Sequence, residues 1–480
     1  MDRRGFLKSA GAVVLAAGMP RGAVCGLRGG RAVPAAGPPA LAGRRILTFN
    51  SVIRVNQIEV TRTRNEGSDE ADLHTPANVR ALRGALAAGW PGAPMTWAFS
   101  WRALFDEREN YREIRRLVAA YHREYGDDVT FIPGAYFANA YNTREQVNRD
   151  LHEGLARVSE IVGAGFRPKS VIAGFLAAAN QKYLAEKEGI RVCQGNIWSQ
   201  YAIDNQDGEG SICYPYYPST EHFCKPAQNA GDFIDCVNLD GWTCDFLAAR
   251  RQGQDWATSQ RSRMGVGPIE TIQWFGPEVG LAQIVETTAA HFDAGFALNG
   301  WAWVTNCWEV SLVPYIGHLE VLTRWTKRIR ERWPSAECLT LGDFGSAFRA
   351  QYPDNQTLRY RFVQRGTGIG GSEVPLEMRW FMCREFRMAL LRSWKKPGTE
   401  RVIDFTRYDL PAREPLDMTR SWSLMGRINQ KGTRPQDAPV PFESLAAEEK
   451  ALVFRHFPDF RPIDASTKEP SLDIECPFSP

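Results

Sequence analysis

The stretch VTFIPGAYFANAYNTREQVNRDLHEGLARVSEIVGAGFRPKSVIAGF, residues 129–175, decides the fold. It begins and ends with short apolar runs rich in Val, Ile and Phe, which are typical of buried strands. Between them, Thr143 and Gln146 have the spacing of a capping box, and apolar residues recur on one helical face until Gly163. A strand, a helix and a second strand in this order predict a βαβ unit with parallel strands.

The same alternation extends in both directions, from Arg44 to about Arg349. Further strands are predicted at RILTFN, IRVCQG, FIDCVNLD, IETIQWF, GFALNGWAW and ECLTLGDF. Helices are predicted at YREIRRLVAAYHREYG, NQKYLAEKEG, GLAQIVETTAAHFDA and HLEVLTRWTKRIRERW. Seven or more strands alternating with helices favour a parallel sheet, and at this length a closed β/α barrel over an open sheet. We therefore predict a β/α barrel domain over residues 44–349.

The pattern changes after residue 349. LRYRFVQRG, SEVPLEMRWFM and ERVIDFTRYDL alternate apolar and polar residues and are separated by Gly, Ser and Pro turns without intervening helices. They predict a mainly antiparallel, β-rich C-terminal domain over residues 350–480. Because the junction at 344–356 has no long Gly/Ser spacer, we expect the two domains to pack together.

The first residues predict export. DRRGFLK, from Asp2 to Lys8, places an arginine pair before the short apolar run SAGAVVLAAG, which is typical of a twin-arginine signal peptide. That run is shorter than the roughly 20 residues needed to cross a bilayer, so we expect no stable membrane insertion. Residues 1–43 are interpreted as a Tat-type signal peptide and linker, and the mature protein as periplasmic or secreted.

Composition argues against nucleic acid as a partner. The 480 residues include 58 basic and 55 acidic side chains, and no basic block is interleaved with aromatic residues. In contrast, 15 tryptophans are available as core residues or as platforms for the apolar faces of sugars. The expected partner is a carbohydrate substrate, and the sequence does not set the oligomeric state.

A family resemblance rests on the segment from Gly134 to Val192, on CQGNIWSQYAIDNQDGEGSICYPYYPSTEHFCKP, and on VNLDGWTCDF. These stretches resemble the polysaccharide deacetylase (NodB-like) barrel. With VIDFTRYDL and NQKGTRPQD, the chain is similar to an uncharacterised bacterial two-domain family of the glycoside hydrolase/deacetylase superfamily. The resemblance implies carbohydrate chemistry on a NodB-like barrel.

The metal motif that this resemblance implies is not retained. NodB-like deacetylases carry paired aspartates after the first strand, where LTFNSV has Asn50 and Ser51. They carry two metal-binding histidines after the second strand, and GAYFANAYN has none. We therefore predict no cofactor, and leave metal ligands from elsewhere in the chain as an open alternative.

Carboxylates at or near predicted strand ends are the candidate catalytic residues, because functional groups of β/α barrels lie there. They are Asp240, Glu270, Glu309 and Asp343. Two such groups supply the acid and base, or the acid and nucleophile, of glycosidic bond cleavage. Each has a structural alternative: a turn aspartate, a salt bridge at the barrel floor, a cap and a domain-interface residue, respectively.

Aromatic and amide side chains near the same strand ends are the candidate substrate-binding residues. They are Asn196, Trp198, Gln200, Asp204, Tyr214, His222, Trp242, Trp274, Trp301, Trp303, Asn306 and Trp308. The loop 203–228 is too long for a simple connection, so we expect it to cover the barrel mouth as one wall of a cleft. His222 is equally compatible with a structural role, and DNQDGEG weakly resembles a calcium loop.

These observations predict an exported carbohydrate-active protein that hydrolyses glycans with strand-end carboxylates. A non-catalytic glycan-binding protein and a deacetylase with a relocated metal site are the alternatives.

Overall fold

The computed structural model describes residues 40–60, 65, 67–196, 210–248, 268–369, 372–395, 398–418 and 439–464. The predicted signal peptide and linker lie outside these residues, except for positions 40–43. Within the described ranges, no helix is both long and apolar enough to cross a membrane.

The strands, in chain order, are β1 (Arg45–Ile53), β2 (Thr96–Ser100), β3 (Asp128–Ile132), β4 (Val171–Ile172), β5 (Val192–Asn196), β6 (Pro218–Ser219), β7 (His222–Pro226), β8 (Val237–Asp240), β9 (Ala302–Cys307), β10 (Ala336–Leu339), β11 (Arg359–Arg365), β12 (Leu376–Cys383), β13 (Phe386–Ser393), β14 (Arg401–Arg407) and β15 (Val440–Pro441).

The first ten strands contain two parallel sheets. β1 lies at the centre of one and pairs with β2, β9 and β10, while β3 extends it beyond β2. The second sheet has the order β4, β5, β8. The predicted parallel sheet is therefore confirmed. The ladders form two separate sheets, so closure into one barrel stays a prediction.

The α-helices, in chain order, are α1 (Pro76–Gly89), α2 (Trp101–Phe105), α3 (Glu109–Tyr125), α4 (Ala138–Tyr141), α5 (Arg144–Val162), α6 (Ala178–Tyr183), α7 (Pro268–Phe275), α8 (Pro277–Ala289), α9 (Phe296–Asn299), α10 (Val313–Ile316), α11 (Glu320–Arg332), α12 (Leu341–Gln351) and α13 (Ala447–His456). As predicted, α5 begins at its Thr143 cap, whose hydroxyl accepts a hydrogen bond from the Gln146 N–H at 3.2 Å.

Three predicted strands differ from the structure, and one strand was missed. The first part of GFALNGWAW is helix α9, and the last part of ECLTLGDF begins helix α12. IETIQWF is not a strand but most of helix α7, and its Ile272 packs against Gly280 of α8. The β-branched and aromatic residues of this stretch favour a strand locally, but helix packing decides the outcome. Strand β2, with the sequence TWAFS, was not predicted, although it is fully buried between β1 and β3.

The C-terminal region forms the predicted antiparallel sheet, with β11 to β15 in sequential order. One face packs on the α/β part, where the ring of Phe362 lies 4.6 Å from that of Tyr214 and 5.5 Å from that of Phe246. The buried guanidinium of Arg387 pairs with Asp404 at 2.7 Å and donates a hydrogen bond to the Ser211 carbonyl at 2.8 Å. Aromatic packing and the hydrogen bond from Arg387 to Ser211 therefore hold this sheet against the rest of the chain.

Close packing of α5 on β3 gives a stability prediction. A methyl group at Gly154 would lie 2.7 Å from Cγ of Phe131, so Gly154→Ala is expected to destabilise the protein by about 1–3 kcal/mol through overpacking. Gly84 in α1 is the matched control, because a methyl there meets no atom within 4 Å. Gly84→Ala should be neutral or stabilising by up to about 1 kcal/mol. Equilibrium urea unfolding measures the stability of both variants, and equal unfolding midpoints would contradict the close packing of Gly154 on Phe131.

Candidate active site

One arginine joins two carboxylates at the carboxyl edge of the first sheet. Arg54 directly follows β1; its Nε lies 2.6 Å from Glu70 Oε2, and its second terminal nitrogen lies 2.6 Å from Glu309 Oε2. Glu309 comes shortly after β9, the parallel neighbour of β1, so the two strands end side by side. All three side chains are largely buried, with exposed fractions of 7% for Arg54, 11% for Glu70 and 13% for Glu309.

The cluster of Arg54, Glu70 and Glu309 contains one guanidinium and two carboxylates, so its formal charges leave one excess negative charge. Burial alone would raise the pKa of Glu70, but contacts with His74 and Arg54 outweigh it and lower the pKa to about 2. His74 is fully buried, and burial lowers its pKa below the usual range. Its Nε2 lies 3.7 Å from Glu70, which is longer than a hydrogen bond, so Arg54 is the principal partner of that carboxylate.

The lowered pKa of Glu70 predicts acid sensitivity. Because this pKa is lower in the folded than in the unfolded protein, the carboxylate stabilises the fold above about pH 4.5, and that contribution is lost as the pH falls towards 2. The difference in unfolding free energy between wild type and Glu70→Gln should therefore narrow over this range. Urea unfolding at a series of pH values measures it. Glu160→Gln, at an exposed ion pair with Arg157, is the control, and a difference for Glu70→Gln that does not change with pH would contradict the assignment.

A strained turn follows β3 beside this cluster. Gly134, Ala135 and Tyr136 have φ values of 60°, 43° and 89°, so two consecutive residues with side chains adopt a backbone conformation that usually requires glycine. Such strain is often found at functional sites. The turn places the Tyr136 hydroxyl 3.7 Å from the sulfur of Cys307 at the end of β9. Burial raises the pKa of both groups, which keeps the phenol and the thiol neutral.

The end of β8 lies against the same edge. Asp240 is its last residue, is 3% exposed, and accepts a hydrogen bond from the Gly241 N–H at 2.8 Å. The half-buried Trp242 donates its indole N–H to the Cys307 carbonyl at 3.0 Å, and its ring lies 6.4 Å from that of Tyr136. Trp242, two residues after Asp240, therefore contacts Cys307, two residues before Glu309. Of the predicted residues, the structure brings Asp240, Trp242 and Glu309 to one edge.

Asp343 does not lie with them. It is in the first turn of α12, where it binds Lys169 at 2.6 Å and the Thr340 hydroxyl at 2.8 Å. Lys169 precedes β4. The two helix residues before Asp343 lie at the starts of the neighbouring strands: the Leu341 N–H donates to Thr96 of β2, and Gly342 faces Asp128 of β3. Asp343 thus lies at the amino ends of the parallel strands, because β10 is short and α12 turns back beneath the sheet. Its predicted place beside the strand carboxyl ends is wrong.

Glu270 and Trp274 also differ from their predicted setting. Both belong to helix α7 rather than to a strand, so Glu270 does not begin a strand at the barrel floor.

Four aromatic residues predicted to face a sugar are instead core residues. Trp303 stacks on Phe344 at 4.7 Å, and Trp301 donates its indole N–H to the Tyr352 hydroxyl at 3.1 Å. The Tyr214 hydroxyl bonds to the Trp303 carbonyl at 2.9 Å. Trp308 packs beside Phe49 on the helix-facing side of β9. Each is at most 1% exposed, so the structure does not present them to a ligand.

The polar candidates are buried as well. Asn196 donates its side-chain amide to the Ser211 hydroxyl, and His222 Nδ1 accepts a hydrogen bond from the Cys224 N–H at 3.1 Å. Asn306 alternates with Cys307 along β9 and therefore faces the opposite side of the strand. Trp198, Gln200 and Asp204 lie outside the described residues.

The described part of the predicted cleft loop, 210–228, does not form a wall over the strand ends. Tyr216 forms an antiparallel bridge with Asn238 of β8, which carries the segment from the carboxyl towards the amino end of that strand. Its tyrosines are buried, and the Tyr360 hydroxyl of β11 donates to the Pro215 carbonyl at 2.8 Å. Its aromatic residues and prolines fill the interface with the antiparallel sheet. Cys213 and Cys224 in this segment are both buried.

The sequence interpretation missed Arg54, Glu70 and Tyr136. Arg54 carried a usable signal, because a charged residue directly follows the apolar run of β1. Glu70 lies in the acidic stretch SDEAD, which is typical of a solvated loop. Tyr136 is distinguished by its backbone conformation, which the sequence does not show.

A divalent metal of the deacetylase type does not fit the residues present. Asn50 is fully buried, its amide N–H donates to the Thr305 hydroxyl at 3.3 Å, and the Ser51 hydroxyl donates to the Trp308 carbonyl at 2.7 Å. After β3, Asn139 is held by Asn180 and by the Ala177 N–H. Among the described residues, no group of three or more His, Cys, Asp or Glu side chains is placed to hold a metal ion.

Comparison with known families agrees with this architecture. Residues 39–382 match the family described as "Domain of Unknown Function with solved-structure structure (DUF3863)". The chain belongs to this family. Residues 387–460 match a second family with the same description, DUF3864. No curated protein matches the chain.

Among solved structures, the chain is similar to "a putative glycoside hydrolase/deacetylase" from Parabacteroides distasonis. The two are 46% identical, with a TM-score of 0.81, covering 88% of this chain and 99% of the other. The predicted resemblance to a two-domain family of the glycoside hydrolase/deacetylase type is therefore confirmed.

Two more distant likenesses carry no argument about the site. The Puue allantoinase is 12% identical with a TM-score of 0.43, covering 66% of this chain and 93% of its own. A "probable Polysaccharide deacetylase" from Pseudomonas aeruginosa PAO1 is 13% identical with a TM-score of 0.37, covering 65% and 93%.

Proposed function

We propose that this protein is a carbohydrate-active hydrolase that cleaves glycosidic bonds with Asp240 and Glu309. The carrying observation is that two strand-end carboxylates flank the contact between Trp242 and Cys307, next to the strained turn at Tyr136. The name of the Parabacteroides distasonis relative supports carbohydrate as the substrate class.

Glu309 is suited to the base or nucleophile, because the guanidinium of Arg54 lies 2.6 Å away and compensates its negative charge. Asp240 then acts as the acid. It transfers a proton to the glycosidic oxygen as the bond to the anomeric carbon breaks, and Glu309 either attacks that carbon or takes a proton from the attacking water. A carboxyl separation of roughly 5–5.5 Å would give retention, and roughly 6.5–9.5 Å inversion. The half-buried indole of Trp242 offers an apolar surface for the sugar ring.

Closure of the parallel strands into a β/α barrel belongs to the same proposal. The Thr243 N–H, just after β8, donates to the Thr305 carbonyl of β9 at 3.0 Å, which supports a link between the two sheets.

We also propose export to the periplasm or beyond, which the DRRGFLK stretch supports.

Two single variants test the proposal: Glu309→Gln, and Asp343→Asn as its control. Turnover of a polysaccharide found by screening should fall at least about 10²-fold in Glu309→Gln, because the amide cannot take a proton or attack carbon. It should stay within about twofold in Asp343→Asn, because that carboxylate lies at the opposite end of the strands. Reducing-sugar release measures both. Equal losses in the two variants would contradict the assignment.

A non-catalytic glycan-binding protein is the second candidate. The neutral side chains of Asn50 and Ser51, both engaged in hydrogen bonds at the positions where the resemblance implies aspartates, favour it. Glycan binding without release of any product by the wild-type protein would select it.

A further inference from the structure

A cavity lies in the antiparallel sheet, away from the strand ends described above. Its volume is about 440 Å³, within the range of small-molecule sites. The sheet residues that line it include Arg361, Val363, Glu377, Arg379, Phe381 and Arg392. These occupy facing and alternate positions of β11, β12 and β13, so they share one face of the sheet. The segment 459–463 forms the opposite rim.

The charge of this cavity is positive. Four arginines line it, against the carboxylates of Glu377 and Asp459, which leaves a formal excess of two positive charges. Asp459 pairs with Arg361 through both terminal nitrogens at 2.5 Å, so that pair is neutral. Arg379 is neutralised as well, by Glu400 outside the lining. The excess therefore lies on Arg461 and on Arg392 with its neighbour Arg365, which share the single charge of Glu377.

Glu377 orients the donors. It is 2% exposed and accepts hydrogen bonds from the Nε atoms of Arg392 at 2.7 Å and Arg365 at 2.8 Å. In the described part of the chain, neither arginine donates a hydrogen bond from its terminal nitrogens, and the Arg365 guanidinium lies 4.8 Å over the ring of Trp394. Arg392 itself is only 9% exposed, so its guanidinium is held in place with terminal N–H groups available to a ligand.

Apolar groups form the rest of the lining. Phe381 and Phe460 lie nearly buried behind the cavity, and the half-buried Val363 and Pro462 present apolar surface to it. Arginine N–H groups in a fork suit a carboxylate, and an apolar wall suits the carbon face of a sugar ring.

We propose that this cavity binds an acidic sugar unit, with its carboxylate on Arg392 and its ring against the apolar surface of Val363 and Pro462. That the anion is a sugar rests on the proposed function. The site itself is separate from Asp240 and Glu309, so it can exist whether or not the protein hydrolyses glycans.

Isothermal titration calorimetry on the full chain tests it, with glucuronic acid, glucose and glucose 6-sulfate as probes. We expect wild type to bind glucuronic acid, and Arg392→Gln to bind it at least tenfold more weakly. Asp240→Asn should bind like wild type. Arg392→Lys, which keeps the charge but not the fork, should fall between wild type and Arg392→Gln, and circular dichroism confirms folding of each variant.

Equal binding of glucose and glucuronic acid, or tighter binding of glucose 6-sulfate, would overturn the acidic-sugar assignment. If Asp240→Asn lost glucuronic acid binding and Arg392→Gln kept it, the ligand would bind at the strand ends. That result would overturn the site in the antiparallel sheet. Binding that depends on Arg392 in a protein that cleaves no glycan would support this site while removing the proposed hydrolysis.

Discussion

Asp240→Asn is expected to lower glycan turnover by about three orders of magnitude or more while leaving the protein folded. The amide keeps the shape of the carboxyl group but cannot transfer its proton to the leaving oxygen. Asp240 ends β8 beside Gly241, which packs against the side chain of Gln194, and it lies two residues before the half-buried Trp242. Turnover and the midpoint of thermal unfolding should be measured on the same preparation.

A structural aspartate would behave differently in this experiment. Its replacement would lower the unfolding midpoint and leave the specific activity of the folded fraction unchanged. Trp242→Phe is a useful companion, because it retains an aromatic ring but loses the indole N–H that binds the Cys307 carbonyl. It should raise KM more than it lowers kcat.

Arg54→Met is expected to cost about 3–5 kcal/mol of unfolding free energy and to abolish turnover. The substitution removes the positive partner that Glu70 and Glu309 share, and leaves two carboxylates at a largely buried site. Repulsion and lost solvation then oppose folding, and Glu309 is no longer held towards the strand ends. Equilibrium urea unfolding and reducing-sugar release measure the two effects.

Arg80→Met is the matched control. Arg80 pairs with Glu113 on the surface, where the two side chains are 51% and 37% exposed. Exposed ion pairs contribute about 0–1 kcal/mol, so this variant should retain both stability and activity. If Arg54→Met were no less stable than Arg80→Met, the cluster around Arg54 would not be the organising feature of the site.

Local patterns were sufficient for much of the fold. The capping box at Thr143 and the apolar stripe of α5 predicted the helix between β3 and β4, because caps and periodicity are short-range signals. The stretch IETIQWF was wrongly predicted as a strand, because its β-branched residues favour a strand locally but also fit a helix that packs on α8. Pairing of strands and sheet closure depend on contacts distant in sequence, which a pattern does not contain.

The sequence predicted the position of a candidate site residue only where that residue stands at or just after the end of an apolar strand. Asp240 and Glu309 follow apolar strands, so their placement at the carboxyl edge follows from parallel topology. The same reasoning failed for Asp343, since a short strand and a returning helix carry it to the other end. Tryptophan content did not separate buried from accessible side chains: Trp303 and Trp242 have similar sequence contexts, but Trp303 is buried and Trp242 is half-buried.

The central claim is that strand-end carboxylates cleave glycosidic bonds, and hydrolysis in ¹⁸O-labelled water tests it most directly. Wild-type protein should release shortened glycans with one ¹⁸O at the new reducing end, because water oxygen becomes bonded to the anomeric carbon, and Asp240→Asn should release none. Labelled acetate from an acetylated glycan of unchanged length would show deacetylation and contradict the claim. Bound glycan with no label in any product would contradict it as well.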